Sequence, residues 1–207
     1  MSALRIKLCG VRTAHDAELC ARAGADEVGV IFAPHSRRCV TMNTAREIRA
    51  ALPRQTPLVG VFQDVDWAEA LRIAGEVGLS AVQLHGRLPA VAGTLPVYAA
   101  LQIDGEPALE RVAALRGFRR VLLDGPAGGG GGVSFAWSLA RKARELCTAE
   151  VFIGGGLTPE NVAQAILAAR PDGVDVASGI EGPDGFKDGG RVGDFVAAAR
   201  AAAREIA

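Results

Sequence analysis

The chain has 207 residues, 49% of them hydrophobic, which suits one domain, and no break in composition marks a second. Lysine plus arginine equals aspartate plus glutamate at 23 each. No net field therefore draws the chain to nucleic acid or to an acidic membrane, and an anionic ligand must be held by a local site.

Short β-branched runs alternate with longer Ala/Leu/Arg/Glu segments. A strand is predicted over 4–9, then a helix over 13–23, with Thr13 as its N-cap and Asp16 three residues on. Gly24 follows in the place of a left-handed cap. The next pairs are a strand at 27–32 with a helix at 43–52, and a strand at 57–62 with a helix at 66–77 capped by Gly78. The strand at 81–84 precedes 88–93, which is poor in helix signal and reads as a single turn. Strands at 96–101, 119–124, 150–153 and 173–176 alternate with helices at 106–115, 135–147, 159–169 and 190–206. Thr158 precedes Pro159, which puts the proline at the first helical position of the 159–169 helix. The five glycines 128–132 read as a mobile loop.

Eight strand–helix units in strict alternation predict a parallel sheet, and the lack of a capping edge strand favours closure. The expected architecture is an α/β (β/α)8 TIM barrel spanning 1–207 as a single domain, with short loops because the chain is near the lower end for that fold. An open doubly wound sheet is the alternative. Aromatics are only 5%, so Val, Ile, Leu and Ala must fill the core, as in parallel strands buried on both faces. Cys9, Cys20, Cys39 and Cys147 form no CxxC pair and no His/Cys metal spacing, which points to a reduced cytoplasmic chain with no metal. No signal segment opens the sequence, and no apolar run is long enough to span a membrane.

In such a barrel the chemistry lies at the C-terminal strand ends. Collected there are Cys9, the loop His35-Ser36-Arg37-Arg38, Gln83 and His85, Asp124, Gly154-Gly155-Gly156, and Ser178-Gly179. The glycine turns after strands seven and eight, with Gly155, Gly156, Ser178 and Gly179, offer backbone N–H groups to a phosphate, although they could serve only as tight turns. Strand alternation places Lys7 and Cys9 inside the barrel and Ile6 and Leu8 against the helices. A buried lysine needs a partner, and Asp175 is the only charge on the adjacent strand eight, so a Lys7–Asp175 pair is expected. Cys9 is either a small buried hydrophobe or a reactive thiol, and Asp124 either caps a turn or acts as an acid. One of Arg37 and Arg38, facing inward, would supply a fork for a carboxylate. His85 reads as a polar wall residue.

KLCGVRT at 7–13, HSRRCV at 35–40, VQLHG at 82–86, GGGLTPENV at 154–162 and GVDVASGIEGPDGFKD at 173–188 resemble the phosphoribosylanthranilate isomerase family, with matches in order along nearly the whole chain. The resemblance implies an Amadori rearrangement of N-(5-phosphoribosyl)anthranilate to 1-(2-carboxyphenylamino)-1-deoxyribulose 5-phosphate, without cofactor. It places the general base on Cys9, the general acid on Asp124 and the anthranilate-binding arginine on Arg38. Gln83, His85 and the glycine turns then belong to the substrate site of a monomer or homodimer. The loop after Asp124 departs from the family pattern at Gly131 and Ala136. Two other readings remain at this stage: the related histidine-pathway sugar isomerase, and a non-catalytic barrel that binds a phosphorylated metabolite.

Overall fold

The computed structural model describes residues 4–89, 94–103, 105–125 and 137–206. The predicted glycine loop 128–132 lies outside the described residues, as do 90–93 of the predicted single turn. Residues 88 and 89 of that turn have no regular structure.

Eight parallel strands close into a barrel in sequence order. They are β1 (Arg5–Leu8), β2 (Glu27–Ile31), β3 (Leu58–Gln63), β4 (Ala81–His85), β5 (Val97–Gln102), β6 (Arg120–Asp124), β7 (Glu150–Gly154) and β8 (Gly173–Val176). Around them run α1 (Ala14–Arg22), α2 (Met42–Ala51), α3 (Trp67–Val77), α4 (Pro107–Ala114), α5 (Trp137–Leu146), α6 (Val162–Ala169) and α7 (Gly189–Ile206). Closure is made by β1 on β8, with Lys7 opposite Asp175 and Leu8 opposite Val176. The open-sheet alternative is thereby excluded.

The local chemistry explains most boundaries. The Asp16 amide donates to Thr13 Oγ1 at 3.0 Å, satisfying one of the unpaired N–H groups at the start of α1. Gly78 closes α3 at φ +76°, where a side chain would be strained. One expected boundary is wrong: α6 begins at Val162, so Pro159 is not its first residue. Instead residues 159–161 form a turn. Asn161 Oδ1 accepts from the Thr158 amide at 2.8 Å, and its Nδ2 donates to Gly156 O at 2.9 Å. Those two bonds hold the strand-seven loop to the turn and delay the regular helix.

The main core lies between strands and helices, where Ile6 and Leu8 pack with Ala17, Cys20 and Phe195, all fully buried. Each such large side chain contributes about 1.5–3 kcal/mol on burial. The barrel interior is partly ionic. Lys7 Nζ meets Asp175 Oδ1 at 2.9 Å, the pair expected from strand alternation. A second layer sits at the strand starts. Arg120 donates to Glu27 at 2.6 and 2.9 Å and to Glu150 at 2.9 and 3.2 Å. Its guanidinium lies 4.1 Å from the Tyr98 ring centroid and 3.5 Å from that of Phe152. Arg5 reaches Glu27 at 2.5 Å. This layer closes the end of the barrel opposite the strand termini that carry the site.

Candidate active site

A cavity of about 240 Å³ opens at the C-terminal strand ends. Its wall includes Cys9 from β1, Gln83 and His85 from β4, and Asp124 with Gly125 at the end of β6. It also includes Gly154–Gly156 at the end of β7, and Asp175, Ala177 and Ser178 at the end of β8. Of the residues singled out in the sequence, Cys9, Gln83, His85, Asp124, Gly155, Gly156 and Ser178 therefore share one cavity. Gly179 and Arg38 do not line it.

Cys9 is set by the chain on both sides. Its amide donates to Val176 O at 2.8 Å, tying it to β8. Across the barrel wall Gly29 leaves room for the thiol: a Cβ built there would lie 2.7 Å from Cys9 Sγ and 3.2 Å from Cys9 Cα. Gly29→Ala should therefore push the sulfur out of place and lower turnover at least about tenfold, since small misplacements of reacting groups are costly. A kcat comparison at saturating substrate checks this, and an unchanged value removes Gly29 from the argument.

The two candidate reacting groups sit in opposed electrostatic surroundings. Burial, and then the charge of Asp175, raise the Asp124 carboxyl to about 6, against the pull of Lys7 and of a hydrogen bond from the Gly125 backbone. This is the direction an acid requires. The Cys9 thiol is not shifted in the direction that a base requires. Lys7 lowers it, but burial is the largest influence and leaves it above its ordinary value. The resting pair is thus a thiol and, above about pH 6, a carboxylate. His85 is pushed toward its neutral form by burial and then by Lys7, and it shares a 3.0 Å hydrogen bond with Gln83 Nε2. It forms a polar wall.

The glycine turns are shaped for close approach. Gly155 and Gly156 have φ of +79° and +68°. A Cβ on Gly155 would stand 2.6 Å from Asp124 Oδ1 and 2.5 Å from the Gly125 nitrogen, so only glycine lets this turn lie against the acid. A short 3-10 turn at Ser178–Ile180 follows β8. A Cβ on Gly179 would fall 1.8 Å from Leu157 O, which locks the two turns together. Gly179 thus supports the cradle from behind. An arrangement of this kind can hold a phosphate.

Arg38 is held rather than free. Its Nε and Nη2 donate to the two oxygens of Glu181, the latter at 3.0 Å. Its aliphatic stem lies over Gly10, next to Cys9, where a Cβ would come within 2.5 Å of Arg38 Cδ. Glu181 and Lys187 were not singled out in the sequence. Lys187 is almost fully buried, and its Nζ donates to Ala177 O at 2.9 Å and reaches Glu181 Oε1 at 3.4 Å. Their presence in a motif with Gly182, Gly185 and Asp188 was the available signal, since an acid and a base six residues apart around glycines can close a hairpin. An isolated antiparallel bridge pairs Glu181 with Lys187 in that way.

The family model described as N-(5'phosphoribosyl)anthranilate (PRA) isomerase matches residues 6–198. The chain belongs to this family. A Myxococcus xanthus N-(5'-phosphoribosyl)anthranilate isomerase is 40% identical over 205 residues, covering 95% of this chain and 96% of the relative. A Pseudomonas aeruginosa isomerase of the same name is 39% identical over 212 residues and covers 99% of both. The crystal structure of the phosphoribosyl anthranilate isomerase from Thermotoga maritima superposes with a TM-score of 0.89 at 38% identity, covering 96% of this chain and 99% of that one. A further structure of a phosphoribosyl anthranilate isomerase, solved in complex with reduced 1-(o-carboxyphenylamino)-1-deoxyribulose 5-phosphate, has a TM-score of 0.86 at 36% identity over 96% of this chain and 99% of that one. The phosphoribosylanthranilate isomerase barrel thus spans nearly the whole chain, and no described helix is long and apolar enough to cross a membrane.

Proposed function

We propose that this chain catalyses the Amadori rearrangement of N-(5'-phosphoribosyl)anthranilate in tryptophan biosynthesis, with Asp124 as general acid and Cys9 as general base. The observation that carries the assignment is the single cavity that brings the Asp124 carboxyl, raised to about 6 by burial, together with the Cys9 thiol and the glycine cradle. The cradle takes the substrate phosphate, and Gln83 and His85 form the polar wall. Family membership and one continuous reaction site disfavour both the histidine-pathway reading and the purely binding one.

Asp124 in its acid form gives a proton to the ribose ring oxygen. The C1–O bond breaks as the amine nitrogen lone pair forms the C1=N bond of a protonated Schiff base. That cation acidifies the C2 hydrogen, which Cys9 as thiolate removes, and the C–H electron pair closes C1=C2 to give an enolamine. Tautomerisation then moves the C2 hydroxyl proton to C1 in net terms and leaves the ketone. The protein is left with a carboxylate at Asp124 and a thiol at Cys9, which is its resting state near neutral pH. One proton passed from sulfur to carboxylate restores the reactive pair.

The sign of the pH dependence follows. With the carboxyl at about 6 and burial holding the thiol above its ordinary range, acid plus thiolate is a minor share of the molecules. That pair carries the same number of protons as the dominant carboxylate plus thiol, so its share does not change with pH between the two values. We expect kcat/KM to be level from just above pH 6, to fall tenfold per unit below it, and to fall again only above the ordinary thiol range. Asp124→Asn separates the acid limb from the substrate phosphate, which also titrates near ~6. A wild-type profile rising steadily from pH 6 to pH 9 would contradict the assignment.

The direct test of function is the decay of the substrate's anthranilate-type fluorescence on adding purified protein, with Cys9→Ala and Asp124→Ala as controls. Binding of the substrate without decay would sink the enzymatic reading.

A further inference from the structure

The hairpin that follows β8 carries a carboxylate with several cations around it. Glu181 has a side chain only 3% exposed, yet it receives Arg37 Nη2 at 2.6 Å, the Nε and Nη2 of Arg38, and Lys187 Nζ at 3.4 Å. Three cations thus meet this one carboxylate. The hairpin is itself well braced. The Gly182 amide donates to Phe186 O and the Gly185 amide to Gly182 O, both at 2.9 Å, while Lys187 Nζ ties the start of the segment at Ala177 O. Glu181 is thus a fixed point, continuous with Ser178 of the cavity wall, and Arg38 is the long side chain that needs one.

A guanidinium carries five N–H donors in one plane. Glu181 occupies Nε and one hydrogen of Nη2. Among the described residues that leaves the end-on edge, Nη1 together with the second hydrogen of Nη2, as a parallel fork of the kind a ligand carboxylate takes in bidentate fashion. Without Glu181 the arginine would keep its charge but lose the restraint on its outer torsions, and Arg37 and Lys187 would repel it.

We infer that Glu181 is a positioning residue for substrate recognition: by gripping the side-on edge of Arg38 it aims the end-on edge at the aromatic carboxylate of the substrate. The inference rests on the reading of Arg38 as the carboxylate-binding residue. It makes Glu181 an anion that improves the binding of another anion, and the sign of its effect decides between orientation and charge. On charge alone, removing Glu181 would tighten binding of a carboxylate. On orientation, removing it weakens binding.

The test is steady-state kinetics of Glu181→Gln on two substrates, N-(5'-phosphoribosyl)anthranilate and the same compound made from aniline, which lacks the carboxylate. The expected result is a KM at least tenfold higher for the first, kcat lower by less than threefold, and a KM for the aniline compound within threefold of wild type. An unchanged or lower KM for the first substrate overturns the inference, and so does an equal rise for both, since that would mark general damage to the loop. Should Glu181→Gln fail to fold, Glu181→Asp is read by the same two ratios, with a smaller rise expected for the first substrate alone. Arg38→Ala keeps the two readings apart. If its KM for the carboxylate-bearing substrate stays within threefold of wild type, the assignment of Arg38 fails. If Arg38→Ala loses binding and Glu181→Gln does not, only the role of Glu181 fails.

Discussion

Replacing Asp124 by asparagine is expected to lower kcat by at least about a hundredfold, with KM changed far less. General acid and base groups are each typically worth about 10²–10⁴ in rate, and the amide keeps the shape of the carboxyl but has no proton to give to the ring oxygen. Among the described residues the site offers no understudy. His85 lines the same cavity, but its ring is pushed toward the neutral form by burial and is bonded to Gln83. Lys7 is pinned to Asp175 and held in its charged form. Cys9→Ala should cost as much through loss of the base, and the double variant should cost little more than either single one, because the two groups act on one substrate as a unit. Stopped-flow or steady-state fluorescence of all three proteins provides the measurement. A single variant that turns over within tenfold of wild type would show that its group is misassigned.

The second large effect lies at the other end of the barrel and concerns stability alone. Arg120→Ala should cost about 3–5 kcal/mol, the range found when one partner of a buried ion pair is removed. Glu27 is completely buried and, among the described residues, would retain only Arg5 and a 3.4 Å contact from the Tyr98 hydroxyl. The Tyr98 and Phe152 rings would also lose the cation packed between them. Removing the charge on both sides, as Arg120→Met with Glu27→Gln, should recover part of the loss, since no uncompensated ion is then left inside. The urea midpoints of the wild-type, single-variant and double-variant proteins check the order. KM should be little altered in those that fold, because Arg120 opens β6 whereas Asp124 ends it.

These two expectations differ in how far the sequence alone could lead to them. Asp124 was visible as a candidate because it ends the apolar run Val121-Leu122-Leu123 at the rim where the chemistry of such a barrel lies. The Lys7–Asp175 pair was visible too, since the two-residue strand period and barrel closure leave Lys7 one partner. The Arg120 layer was not read, although its signal was present: Arg5, Glu27, Arg120 and Glu150 each open a strand and so share a level of the barrel. Glu181 and Lys187 were hidden for another reason. Their meeting depends on a hairpin closed by Gly182 and Gly185, and local periodicity does not report it. The direction of the thiol's shift was not legible, because the burial that outweighs Lys7 is a property of the closed barrel. The position of Pro159 was misjudged because the Asn161 side chain bonds back to the loop and displaces the helix start.

Closure of β1 on β8 has a consequence for how the chain comes to be made. Lys7 and Asp175 lie 168 positions apart. A nascent chain leaving the ribosome N-terminus first therefore displays its first strand, with an ionised lysine on the face destined for the interior, until almost all of its translation is complete. Any truncated product ending before residue 173 lacks β8, retains two unpaired sheet edges and has no counter-ion for that lysine. Such fragments should be substrates for chaperones and proteases rather than small working enzymes.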